Sequence, residues 1–197
     1  MREVELKAVL DDWALRRARV ERAGGTLTFH GRLEDRRYDT PSRALAARDE
    51  VLRLRAYRCG ERVEAELGWK GRTEYHDGYK VREEVATPTT DPDALEAILE
   101  HLGYQVTRAI DREIAQYTLD GTIIRFERYP RMDDLVEVEG TPEGIERAVA
   151  VLGIPREAFT AERLREFVAR YEARTGATAA LCDAELMGSA SYDREDA

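Results

Sequence analysis

The 197-residue sequence predicts an α+β protein built on an eight-stranded antiparallel β-barrel, with a charged lumen and helices packed outside. Three observations lead there. Segment after segment alternates charged and apolar residues with the period of two that belongs to strands. Hairpin signals, Cys59-Gly60-Glu61 and Asp120-Gly121 above all, join neighbouring segments. The alternating faces carry Arg, Lys and Glu on nearly every strand, while amphipathic helices are at hand to cover the apolar faces. Closing the sheet removes its edges, and helices on the apolar side turn the charged side inward.

The elements follow in order. In Glu3-Val4-Glu5-Leu6-Lys7, Glu3, Glu5 and Lys7 point one way and Val4, Leu6 and Ala8 the other. Asp11 or Asp12 caps a helix to about Ala23, ended by Gly24-Gly25. Thr26 to Thr40 reads as a strand pair or one long bent strand, interrupted near Gly31-Arg32, and Pro41-Ser42 opens a loop. The strand Glu50 to Tyr57 sets Arg53 and Arg55 against Leu52, Leu54 and Ala56. Its hairpin partner, Arg62 to Lys70, sets Glu64, Glu66 and Lys70 against Val63, Ala65, Leu67 and Trp69. A strand from about Gly78 to Ala86 puts Lys80, Arg82 and Glu84 in register.

Asp91 or Asp93 caps a helix to His101 with Leu95, Ile98, Leu99 and Leu102 as its apolar stripe. Tyr104 to Leu119 is a long strand, and Thr122 to Tyr129 runs back with Ile123, Arg125 and Glu127 on one face. In Leu135 to Glu139, Glu137 and Glu139 oppose Val136 and Val138. Helices follow over Thr141 to Leu152 and Thr160 to Arg174. Residues 1–175 read as one domain and 176–197 as a loosely ordered tail.

Composition narrows the function. A net charge of −9 argues against a nucleic-acid partner. Neither a membrane span nor a signal peptide is legible, and the two distant cysteines, Cys59 and Cys182, read as thiols of a cytoplasmic protein. His30, His76 and His101 are too scattered for a zinc site. A lumen of clustered acids needs compensation, since two carboxylates ~5 Å apart repel by about 3 kcal/mol at an effective dielectric near 20. Basic neighbours supply part of it and divalent cations more, leaving bases to grip an anion. Acids and bases on facing walls therefore describe a site for a metal-chelated polyphosphate.

Glu3-Val4-Glu5-Leu6-Lys7 resembles the ExExK signature of CYTH domains, the triphosphate tunnel metalloenzymes that include class IV adenylyl cyclase and thiamine triphosphatase. The resemblance continues in family order through Glu34-Asp35-Arg36-Arg37-Tyr38-Asp39-Thr40-Pro41, Leu52-Arg53-Leu54-Arg55, Lys70, the Arg82 strand and Val136-Glu137-Val138-Glu139, over about residues 1–155. It implies that Glu3, Glu5, Glu137 and Glu139 hold Mg²⁺ or Mn²⁺ and that Lys7, Arg53, Arg55 and Lys70 bind the triphosphate. Arg82, Arg108 and Arg125 join them by parity. Glu127 stands where the family commonly has Asp, and is expected to help hold a second metal that activates water. Arg37 stands where an aromatic residue is common, and Arg108 and Arg112 match the family's paired bases only loosely.

The expected activity is hydrolysis of inorganic or organic triphosphate, with Lys7, Glu127 and Glu137 as catalytic residues. ATP bound in the opposite sense would instead give cyclic AMP and pyrophosphate. A non-catalytic polyphosphate- or nucleotide-binding module is the reading from another class. Inorganic triphosphate, ATP and thiamine triphosphate are the expected small-molecule partners, and a homodimer is compatible with the family.

Overall fold

The computed structural model describes residues 2–193; the side chains of residues 2 and 3 lie outside the described set, and with them the metal role expected of Glu3. The strands are β1 (Arg2–Val9), β2 (Thr26–Asp39), β3 (Val51–Cys59), β4 (Arg62–Lys70), β5 (Glu74–His76), β6 (Tyr79–Thr89), β7 (Gln105–Leu119), β8 (Thr122–Arg128) and β9 (Leu135–Glu139). The helices are α1 (Trp13–Arg22), α2 (Pro92–His101), α3 (Pro142–Leu152), α4 (Leu164–Thr175) and α5 (Asp183–Leu186). The strands run β1-β9-β8-β7-β2-β3-β4-β6, and β6 pairs with β1 to close an eight-stranded antiparallel barrel. The ninth strand, β5, adds a short hairpin to β6.

Local sequence explains most element boundaries. Asp12, Asp91 and Thr141 cap α1, α2 and α3 with side-chain oxygens on the backbone N–H groups of Leu15, Ala94 and Gly144. Asp120 and Gly121 both take positive φ, 48° and 79°, as the tight β7–β8 hairpin needs. Of the two readings of this segment, a strand pair or one long bent strand, the second holds: β2 runs through Gly31 as one 14-residue strand without the interruption expected there. A Cβ there would stand 2.3 Å from the Arg58 carbonyl oxygen, so glycine lets β2 and β3 approach.

The barrel's apolar outside packs on helices. Leu6, Ala8, Phe126, Val136 and Val138 form one core with Ile145, Ala148, Val149 and Leu152 of α3. Ile110, Tyr129 and Leu135 pack with Leu164, Phe167 and Val168 of α4. Over β3, α2 buries Leu99, with Leu95 packed beside it. Ile98 and Leu102, expected in its apolar stripe, are 52% and 69% exposed, because a helix lying on a sheet buries a narrower strip than its sequence offers.

The second carboxy-terminal helix begins at Leu164 rather than near Thr160. Thr160 is already engaged, exchanging both backbone hydrogen bonds with Lys7. Further on, Ala180, Leu181 and Cys182 are fully buried, and the Leu181 carbonyl accepts from the Asp111 N–H at 2.7 Å. Among the described residues, no helix is long and apolar enough to cross a membrane.

Candidate active site

Strand alternation and barrel closure bring the charged faces together around a lumenal cavity of about 190 Å³. Of the residues expected to act here, Glu5, Lys7, Arg53, Arg55, Lys70, Arg82, Arg125, Glu127 and Glu137 all line it. Arg108 shares the inward parity, but its guanidinium donates to Glu185 of α5 at 2.9 Å and does not line the cavity. Glu139 stands opposite Glu5 in the β1–β9 register, beside the cavity lining.

Two chains of alternating charge cross the lumen. In the first, the Lys7 ammonium lies between two carboxylates, 2.9 Å from Glu5 Oε1 and 2.6 Å from Glu137 Oε2. Lys80 also grips Glu5, and Arg125 Nη1 donates to Glu137 Oε1 at 2.7 Å. In the second, Arg55 donates twice to Asp35, at 2.7 and 3.0 Å, and Arg112 Nη1 donates to the same carboxylate at 3.0 Å. Arg112 Nε reaches Glu127 Oε1 at 2.8 Å, and the Tyr129 hydroxyl donates to Glu127 Oε2 at 2.6 Å. Glu127 is only 1% exposed.

These pairings decide the protonation states. Burial by itself would raise the carboxyl pKa values, but Lys7, Lys80 and Lys70 hold Glu5 well below the usual range. Arg55 and Arg112 do the same for Asp35, and Lys7 and Arg125 bring Glu137 down to about 2. Burial would lower Lys7, yet Glu137 and Glu5 outweigh it and hold its ammonium well above its ordinary value. Burial, reinforced by Glu127, pushes the Tyr129 hydroxyl well up, so it remains a donor.

The lumen offers oxygen donors to a divalent cation. Lys7 places a positive charge between the carboxylates of Glu5 and Glu137, hard oxygen donors of the kind Mg²⁺ and Mn²⁺ take. Among the described residues no three His, Cys, Asp or Glu side chains converge into a ready cage.

Sequence reasoning missed Asp35, Arg37, Lys80 and Tyr129 as part of this site, and left Arg112 aside. Asp35 and Arg37 share one face of β2 two residues apart, and Lys80 has the parity of Arg82, so alternation carried their signal. Tyr129 falls just beyond β8 and had none.

The barrel has relatives among solved structures. The PH1819 protein from Pyrococcus horikoshii OT3 superposes with a TM-score of 0.70 at 23% identity, covering 85% of this chain and 98% of its own. A Vibrio parahaemolyticus protein proposed as an adenylate cyclase gives 0.71 at 21% identity, with 85% and 97% coverage. A Hippeastrum protein, proposed as an adenylyl cyclase and shown to have dominant triphosphatase activity, gives 0.58 at 16% identity, with 82% and 90% coverage. No curated protein sequence matches the chain. The CYTH domain matches residues 1–147. The chain therefore belongs to the CYTH domain family, whose members are metal-dependent tunnel enzymes acting on triphosphates.

Proposed function

We propose that this protein is a divalent-metal-dependent triphosphatase that hydrolyses inorganic or organic triphosphate. The observation that carries the reading is the sign of the cavity. In a chain of net charge −9, the lining places ten Lys and Arg side chains against seven Asp and Glu. A surplus of three positive charges in a small, mostly buried space stabilises a compact polyanion and disfavours a neutral ligand.

In this reading Lys7, Arg125 and Arg55 hold the phosphate oxygens and stabilise charge that grows on them as the terminal bridging P–O bond breaks. Glu5 and Glu137, with Glu139 opposite Glu5 in the register, hold the metal. Mg²⁺ or Mn²⁺, when bound, supplies charge neutralisation and an acidified water. Glu127 accepts the proton of the water whose oxygen bonds to phosphorus, and Arg112 and Tyr129 keep its carboxylate in place. Orthophosphate and the shortened diphosphate are the products.

Phosphorus NMR of the purified protein with tripolyphosphate, ATP or thiamine triphosphate, each with Mg²⁺ or Mn²⁺, tests this. Orthophosphate release is expected. Lys7→Ala weakens binding, whereas Glu137→Ala removes turnover by about 100-fold or more with binding largely kept. Cyclic AMP and pyrophosphate from ATP would make the protein a cyclase, and tight binding with no turnover under any metal would make it a binding module.

A further inference from the structure

A second cavity adjoins the lumen at the rim where β3 begins and β4 ends. It measures about 430 Å³, against about 190 Å³ for the lumen. Glu50 and Arg82 line both, so the two spaces meet across that pair. Arg82 is fixed there, its Nε donating to the Gly71 carbonyl at 2.6 Å and its Nη2 to the Asp49 carbonyl at 2.7 Å. The register explains the junction. Lys70, the last residue of β4, pairs with Val51, the first of β3, so Glu50 and Gly71 stand one residue beyond the wall.

The second cavity differs from the lumen in charge and in character. Its lining sets Glu50, Glu74 and Glu83 against Arg72 and Arg82, a surplus of one negative charge where the lumen has three positive. A further phosphate is disfavoured there. The space is walled instead by the indole of Trp69, which is half-buried. Strand alternation sends Trp69 and Lys70 to opposite faces of β4, so the ring stands in the second cavity while Lys70 lines the lumen. Gly71 makes room for the ring, since a Cβ there would stand 3.0 Å from Trp69 Cη2. Hydrogen bonds from Arg48 and from the Trp69 indole hold the Glu50 carboxyl below its usual range, which ties the ring to a residue shared by both cavities. An indole beside an acid-rich lining suits a flat ring that is neutral or cationic.

Resting on the triphosphatase reading, we infer that the second cavity is a subsite for the organic part of the substrate, an aromatic heterocycle joined through an alcohol to the triphosphate. The phosphates lie in the lumen, the linker crosses the rim between Glu50 and Gly71, and the ring stacks on Trp69. The substrate class thereby narrows to triphosphate monoesters, with inorganic triphosphate the weaker ligand.

The test is calorimetric titration of tripolyphosphate, ATP and thiamine triphosphate in EDTA, where nothing turns over. In wild type at least one of the two organic triphosphates should bind more tightly than tripolyphosphate. Trp69→Ala should raise the Kd of that ligand about tenfold or more, the loss of one stacked ring, with little change for tripolyphosphate. Trp69→Phe should restore most of the affinity. ATP offers a neutral ring and thiamine triphosphate a cationic one, so the ligand that responds gives the charge of the ring. A second measurement leaves Trp69 in place: in Trp13→Phe, where Trp69 is the single tryptophan, that ligand should quench the indole fluorescence and tripolyphosphate should not. An equal loss for all three ligands in Trp69→Ala, or no loss for any, would make Trp69 a packing residue and overturn the subsite while the triphosphatase reading stands. Wild-type protein that binds none of the three would overturn that reading, and the subsite with it.

Discussion

Replacing Asp35 with alanine should be costly, and costly in a way that an anion reverses. Asp35 is 3% exposed and receives hydrogen bonds from Arg55 Nε, Arg55 Nη2 and Arg112 Nη1 between 2.7 and 3.0 Å. Without it, Arg112 keeps Glu127, but Arg55 loses both short carboxylate contacts while still buried. Removing one partner of a buried charge pair costs about 3–5 kcal/mol, and because half of the network survives the lower end applies. For a chain of this size ~3 kcal/mol corresponds to a fall of about 6–12 °C in Tm. The stranded guanidinium groups add positive charge to a cavity already rich in it. Tripolyphosphate should therefore raise Tm more in Asp35→Ala than in wild type, by the ligand-linkage relation. Circular-dichroism melting with and without tripolyphosphate measures both quantities. A loss below about 2 °C together with an equal ligand shift would refute the role assigned to Asp35.

Two further outcomes follow from the same geometry. Gly31→Ala drives a Cβ against the Arg58 carbonyl oxygen at the β2–β3 contact, and should lower Tm by about 5 °C, the overpacking cost of ~2 kcal/mol; a thermal melt within 1 °C of wild type would contradict the close approach. Acid should unfold the protein early. Glu5, Asp35 and Glu137 have folded pKa values below their unfolded ones, so the unfolded state binds protons first as pH falls, and their stabilisation is full above about pH 5 and lost toward pH 2. Tm measured from pH 7 to pH 2.5 should stay level to about pH 5 and then fall increasingly steeply; a flat profile to pH 2.5 would remove the buried carboxylate network from the account.

Much was legible in the chain itself. Strand alternation marked Glu5, Lys7, Arg53, Arg55, Arg125, Glu127 and Glu137 as sharing one face of the sheet, and the caps and the Asp120-Gly121 turn placed most boundaries to within a few residues. These are local properties, set by backbone periodicity and by side chains that reach their own neighbours. Partners across strands are not local. Which base meets which acid depends on barrel register, and a one-residue irregularity between Arg37 and Tyr38 on β2 suffices to change it. Only the closed barrel put Asp35 between Arg55 and Arg112, stood Arg37 between Arg53 and Arg108, turned Arg108 toward Glu185 and left Ile98 and Leu102 of α2 in solvent. The sequence by itself determined that the lumen would be charged; the tertiary structure decided which of those charges meet, because pairing is a matter of distances between residues far apart in the chain.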